Sequence, residues 1–479
     1  MLEEEVIIKT ERNNNERLLF ANVIFLLAIS ALFFGGNTEA IIGLLIAMGL
    51  VPFINVFSYR YSWIDAKPFT RTFFILALLP YFAALAITAI GLKTPIISIS
   101  DLGNGEFWRL DADNPSLITS GALSPIAALT PNLLAISIAA TGLSVYFITE
   151  SRYVIRRILF FGAMIASIIA VGGFGYECIC LLDTGHILPR VGISSFATFT
   201  DTMHWSTFAM IWCGAALATA IYTAQRYRML SFSYSFRFIS LLIAAILLFS
   251  ILYCGTPLQK ILTLTITCFA GFFLAIDTYP TENNLKRHNV SRSLRHSKSP
   301  IKYMPFMSYL CIAMVCILGA IATAMPEAAE QPSMLIVNAD NPNSISIDEK
   351  RAIFFDTLEL IKQRPEFGWG SASFQNVFSF FQGSDLGDSS WLTPSSDLMQ
   401  KLLENGYIGL ILAIITPAIF LLFWIIRLDF SFSGMVLMLT IFSTLILSLT
   451  DYPFESPCVL LSFWIVMMSA FRWDNADIR

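Results

Sequence analysis

Apolar runs of about twenty residues alternate along this chain with short polar segments rich in Lys, Arg, Gly or Pro. A helix needs about 20 mostly apolar residues to cross the hydrocarbon layer of a bilayer. Twelve segments meet or approach that length: 18–36, 39–57, 72–91, 124–148, 158–176, 204–223, 238–254, 258–276, 304–324, 406–426, 434–449 and 458–471. The pairs 18–57 and 238–276 are joined by the tight turns Gly35-Gly36-Asn37 and Gly255-Thr256-Pro257. The first span follows a charged stretch, Glu3 to Arg17, with no small-residue cleavage site, so it reads as an anchor rather than a removed signal peptide. The pattern predicts an all-α integral membrane protein of about 12 transmembrane helices. Spans 1 to 9 fill residues 1–324, one large loop occupies 325–405, and spans 10 to 12 lie in 406–479.

Composition sharpens that picture. Of 479 residues, 56% are hydrophobic and only 13% are charged, against about 25% charged in an ordinary soluble domain. So few charges cannot cover a core this large, which excludes a soluble enzyme, a disordered chain and a nucleic-acid binder. The eight cysteines do not form a disulfide framework. Six sit in or beside apolar runs, where cysteine behaves as a small hydrophobe, and Cys178 and Cys180 lack the further ligands of a metal site.

Basic residues set the orientation, because cytoplasmic loops collect lysine and arginine. With the N-terminus in the cytoplasm, the outer segments keep only nine of the 30 basic residues: Lys93, Arg109, Arg190, Lys260, Lys350, Arg351, Lys362, Arg364 and Lys401. The other 21 fall inside, and every inner segment is basic. Both termini are then cytoplasmic, and the loops 92–123, 177–203 and 325–405 lie outside.

The largest loop carries most of the candidate chemistry. Ser346 followed by Glu349 is a capping-box signature, predicting a helix that runs to Arg364, where Pro365 stops it. Phe354, Phe355, Leu358 and Ile361 recur at helical spacing, with Arg351 on the same stripe. An arginine there suits an anionic partner or snorkels to lipid headgroups. Gly368 and Gly370 flank Trp369 in a turn whose backbone amides can approach an anion, although a plain turn accounts for them too. Asp385, Asp388, Trp391, Ser395, Ser396, Asp397 and Glu404 follow, a mixture of carboxylates and rings suited to a sugar or to a solvated loop.

In this order, these pieces resemble the O-antigen ligase and Wzy-type polysaccharide polymerase family. The matching segments are Arg351, then Arg364-Pro365-Glu366-Phe367-Gly368-Trp369-Gly370 with Phe374, Ser395-Ser396-Asp397, and Leu403-Glu404-Asn405-Gly406-Tyr407-Ile408-Gly409. Asp451-Tyr452-Pro453-Phe454 with Pro457 and Phe463-Trp464 looks like exopolysaccharide-polymerase members. Arg190, with Gly192 and Phe196, matches the family's other outer-face arginine. The resemblance is specific over roughly 340–465, looser over 180–225 and topological elsewhere. It implies a GT-C-like bundle in a bacterial inner (cytoplasmic) membrane, with the large loop periplasmic.

What the resemblance implies chemically is transfer of a glycan from a polyprenyl-pyrophosphate carrier to a sugar or lipid-linked acceptor, without a metal or other cofactor. Arg190 and Arg351 would hold the pyrophosphate, since the guanidinium fork binds two phosphate oxygens at once. Gly368, Gly370 and Glu404 would line the substrate site. The family's loop histidine falls at Ser395, and no histidine lies between 325 and 405. Asp397 is the nearest replacement base and His204, at the outer end of a span, the second. Ligase and polymerase differ only in the acceptor. A glycan transporter and an inactive relative are the rival classes, a transporter calling for broken or charged segments at mid-membrane.

Overall fold

The computed structural model describes residues 2–51, 69–101, 106–111, 116–149, 151–184, 196–226, 231–278, 336–337, 347–383, 386, 390–394, 396–427 and 431–473. Helices dominate: α1 (Leu2–Leu32), α2 (Glu39–Gly49), α3 (Phe69–Gly91), α4 (Pro125–Ile148), α5 (Arg152–Thr184), α6 (Thr202–Arg226), α7 (Ser231–Cys254) and α8 (Pro257–Thr278). After them come α9 (Ile347–Gln363), α10 (Phe374–Phe378), α11 (Asp397–Arg427), α12 (Phe432–Thr450) and α13 (Pro457–Trp473).

Among the described residues, nine helices are long and apolar enough to cross a membrane, and each coincides with an expected span. Two further expected spans are shorter apolar helices, Glu39–Gly49 and Pro457–Trp473. The expected span at 304–324 lies outside the described residues.

Local sequence accounts for the helix starts. Pro125 opens α4 behind Ser124, whose hydroxyl accepts the Ala127 N–H at 3.1 Å. At α8, Thr256 N–H donates to Gln259 Oε1 at 2.8 Å and Gln259 N–H donates to Thr256 Oγ1 at 3.4 Å, a reciprocal capping box.

The bundle wraps α6, whose apolar stretch Thr202–Thr223 is wholly buried, against α5, α7, α8, α12 and α13. Lipid gives helices no hydrophobic reason to associate, so small residues and polar side chains hold them together. Trp212 of α6 lies against Gly162 of α5, where an added Cβ would come within 2.1 Å of the ring, and donates to Ser462 Oγ of α13 at 3.1 Å. Ser137 and Thr141 of α4 donate to the Leu45 and Gly49 carbonyls of α2 at 2.6 and 3.2 Å. Cys213, Cys254 and Cys458 are buried, whereas Cys178 and Cys268 are exposed, and none of these five forms a disulfide.

The two ends of the bundle differ. At one, Arg157 stacks over Phe20 at 4.8 Å, Arg156 over Phe236 at 5.1 Å, and Arg472 donates to the Thr149 carbonyl at 2.7 Å. At the other gather the described parts of the large loop and of the 92–124 connection, with the turns before α6 and α13. Strands β1 (Ile97–Asp101) and β2 (Glu106–Leu110) pair antiparallel there with Ile99 opposite Trp108, and β3 (Ile336–Val337) pairs with β4 (Ser390–Trp391). The molecule is thus mainly helical rather than wholly so. Ile-Ser-Ile-Ser alternation with Asn104-Gly105 before β2 was the available hairpin signal.

Candidate functional site

The loop helix α9 forms close to where the capping box places it, with Ser346 itself outside the described residues. Its buried face differs from the expected stripe. Ile353, Thr357, Leu360 and Ile361 are buried, whereas Phe354 and Phe355 are exposed. Arg351 is exposed with them, its guanidinium 5.7 Å from the Phe355 ring centre. Positions 351 and 355 share one helical face and 353, 357 and 360 another, so Arg351 points away from the docking face.

Arg364 follows the helix and ties two loops together. Its Nη1 donates to the Ser116 carbonyl at 3.2 Å and Thr119 Oγ1 at 3.0 Å, and the guanidinium stacks on Trp369 at 4.9 Å. Partial burial lowers its pKa and Asp111 opposes that shift. Gly121 N–H donates to the Trp369 carbonyl at 2.7 Å, completing the junction.

The 365–370 turn plugs a break in α11. Gly406 has φ 63° and ψ −169°, a backbone region open essentially to glycine alone, and the helix is interrupted there. Interruption orphans carbonyls on one side and amides on the other, and the turn satisfies both. Trp369 and Gly370 N–H donate to the Leu403 and Glu404 carbonyls at 2.9 and 2.8 Å, while Tyr407 and Ile408 N–H donate to the Pro365 and Glu366 carbonyls at 2.8 and 3.1 Å. Gly368 N–H donates to the Arg364 carbonyl at 3.2 Å. The amides of Gly368 and Gly370, expected to approach an anion, are therefore engaged with backbone carbonyls, and positive φ at both residues shapes the turn for that docking.

Glu404 is buried and its carboxylate accepts the N–H groups of Ala372 and Phe374 at the start of α10. Beside it, Asn405, Ser371, Thr88 and Thr119 line a recess of about 20 Å³, room for one water. The Asn405 Nδ2 is buried without a partner among the described residues, and such a water would satisfy it.

A second polar group forms where α11, α12, α13 and the turn before α6 meet. Asp397 N–H donates to the Asp451 carbonyl at 3.1 Å, and Asp397 Oδ2 accepts the Phe454 N–H at 3.0 Å. Tyr452 donates its hydroxyl to Asp201 Oδ2 at 2.8 Å, and buried His204 places Nε2 3.1 Å from the Tyr452 carbonyl. A carbonyl only accepts, so Nε2 carries a proton in this contact. Asp397 and His204, distant in sequence, thus both hold the same 451–454 turn. Ser395 and Arg190 lie outside the described residues, so the meeting of Arg190 with Arg351 does too.

Burial is the main cause raising Asp451 to about 6, with Lys350 pulling it down and Asp201 pushing it up. Glu455 rises to about 7 through burial, then Asp201 and Glu404, although water on its exposed outer side limits that shift. Burial and Asp201 also raise Tyr452. Asp201 and Glu455 were not singled out from the sequence. The available signal was a carboxylate at the loop end of an apolar helix, where an ionisable group is costly unless used.

A raised carboxyl pKa stabilises the fold while the group is protonated. The Asp451 contribution is therefore full below its unfolded value near 4 and is lost as pH rises through about 6. In detergent, the melting temperature of the wild type relative to D451N should fall between about pH 4 and pH 7. A difference that stays flat contradicts the burial of this carboxyl.

The chain matches no known protein-family model, and no curated protein is significantly similar to it.

Proposed function

We propose that this chain is a metal-independent glycosyltransferase of the bacterial inner membrane, with both termini cytoplasmic. It moves a glycan from a polyprenyl-pyrophosphate carrier to a sugar or lipid-linked hydroxyl on the periplasmic face, as an O-antigen ligase or an O-antigen or exopolysaccharide polymerase. The supporting observation is convergence. Segments 364–370, 403–409 and 451–454 and Asp397, which carry the resemblance, pack together with Asp201 and His204 at one end of the bundle. The opposite end is the basic one, as the charge rule demands of a cytoplasmic face.

The donor's lipid tail keeps its pyrophosphate at headgroup depth, where the arginines expected on the outer face, Arg190 and Arg351, would bind it. Paired guanidinium groups offset the charge that grows on the leaving pyrophosphate, the part a metal takes elsewhere. The carboxylates beside Tyr452 serve the acceptor, since a group with pKa near 6 can take a proton at neutral pH. The break in α11 lies at its loop end, nine residues after Asp397, whereas a transporter uses breaks at mid-membrane.

Deleting the gene tests the activity class. Lipid-linked glycan should accumulate while lipopolysaccharide stays uncapped or exopolysaccharide shortens. Unchanged surface glycan and an unchanged carrier pool contradict the proposal.

A further inference from the structure

Asp397 looked like the natural substitute for the missing loop histidine, yet its contacts describe a clamp. Its backbone N–H holds the Asp451 carbonyl and its carboxylate holds the Phe454 N–H, so it braces the 451–454 turn on both sides. From across the turn, Asp201 takes the Tyr452 hydroxyl and His204 the Tyr452 carbonyl. Asp451 N–H donates to the Leu447 carbonyl at 2.7 Å, which anchors the turn to the end of α12. Ser396 adds a hydroxyl bond to the Leu449 carbonyl at 3.0 Å.

The Asp451 carboxylate is the group this framework leaves unused. It is partly exposed and makes no hydrogen bond or ion pair with any described residue. The charged and titratable groups around it are Lys350 of α9, Asp201 and His204 at the start of α6, Asp397 and Lys401 of α11, and Tyr452 and Glu455 of its own turn. A carboxylate without a hydrogen bond among the described residues, on a backbone held at Asp451, Tyr452 and Phe454, suits a pre-positioned general base.

We infer that Asp451 is the base for the acceptor hydroxyl and that Asp397 is its positioning residue. The inference rests on the glycan-transfer reading above. The acceptor O–H bond breaks and its proton passes to a carboxylate oxygen of Asp451. The acceptor oxygen's electron pair forms the bond to the anomeric carbon of the lipid-linked glycan. The bond from that carbon to the phosphate oxygen breaks, and its electron pair leaves on the polyprenyl pyrophosphate. Because the base must be ionised, transfer should fall as pH drops through about 6.

The test uses the full chain in vesicles, with the polyprenyl-pyrophosphate-linked glycan fraction of the source cells as donor and acceptor pool. D451N should lose transfer by at least about 100-fold, the usual worth of a general base. D451E, which keeps a carboxylate, should recover part of it with a shifted pH midpoint. In D397N the amide oxygen still accepts the Phe454 N–H, so transfer should fall by less than about tenfold with its midpoint unmoved. A dead D397N beside an active D451N overturns the inference, as does D451E as inactive as a D451N that melts like wild type. No transfer by the wild type removes the glycan-transfer reading itself, and the inference with it.

Discussion

Replacing Gly406 by alanine is expected to stop the protein accumulating in folded form. An added Cβ would lie 2.3 Å from the Glu366 carbonyl oxygen and 2.7 Å from the Gly368 nitrogen, and the backbone at φ 63°, ψ −169° disfavours any side chain. Strain of that kind costs about 1–3 kcal/mol. Displacing the turn also exposes four backbone hydrogen bonds, each worth about 1 kcal/mol. The sum, about 5–7 kcal/mol, is a large share of a stability of about 5–15 kcal/mol. Gly172 of α5 has nothing within 4 Å of its Cβ position, so G172A controls for a glycine change as such and should leave stability at or above wild type. Thermal unfolding in detergent reads both variants. A G406A protein that melts like wild type would mean the 365–370 turn does not plug the helix break.

The second large effect falls on activity. Arg351 is exposed and, among the described residues, its guanidinium lies against the Phe355 ring, so R351K should change stability by no more than about 0.5 kcal/mol. Lysine keeps the charge but loses the fork that binds two phosphate oxygens. Loss of one charged hydrogen bond costs about 1.5–3 kcal/mol, a fall in transfer of about ten- to a hundredfold. R190K should behave alike, and the double variant should lose more than either alone. Transfer that survives lysine at both positions contradicts the pyrophosphate clamp while leaving the fold untouched.

Where the sequence was legible, one strong physical signal acted alone. Hydrophobic runs marked each of the nine long apolar helices among the described residues because no soluble element needs twenty apolar residues in succession. The α9 boundaries followed from a cap and a proline. Its buried face was misjudged because Phe354 and Phe355 are as apolar as Ile353 and Leu360, and periodicity cannot say which of two adjacent stripes meets the core. Gly368, Gly370 and Gly406 were conspicuous, yet their use depends on two segments some forty residues apart completing each other's hydrogen bonds. Likewise, nothing local to Asp397 announces that the Phe454 N–H occupies its carboxylate, or that Asp201 and His204 hold the same turn. Those pairings are tertiary and cross up to 251 positions.

The central claim, glycan transfer from a polyprenyl pyrophosphate at the loop end of this bundle, is tested most directly by reconstitution. Purified chain in liposomes is given polyprenyl-pyrophosphate-linked glycan, and the glycan products and freed carrier are measured together. The account predicts transferred or lengthened glycan with one polyprenyl pyrophosphate released per bond formed, faster at pH 7 than at pH 5. Donor that crosses the bilayer or stays bound, with its glycan still attached to the carrier, would contradict it.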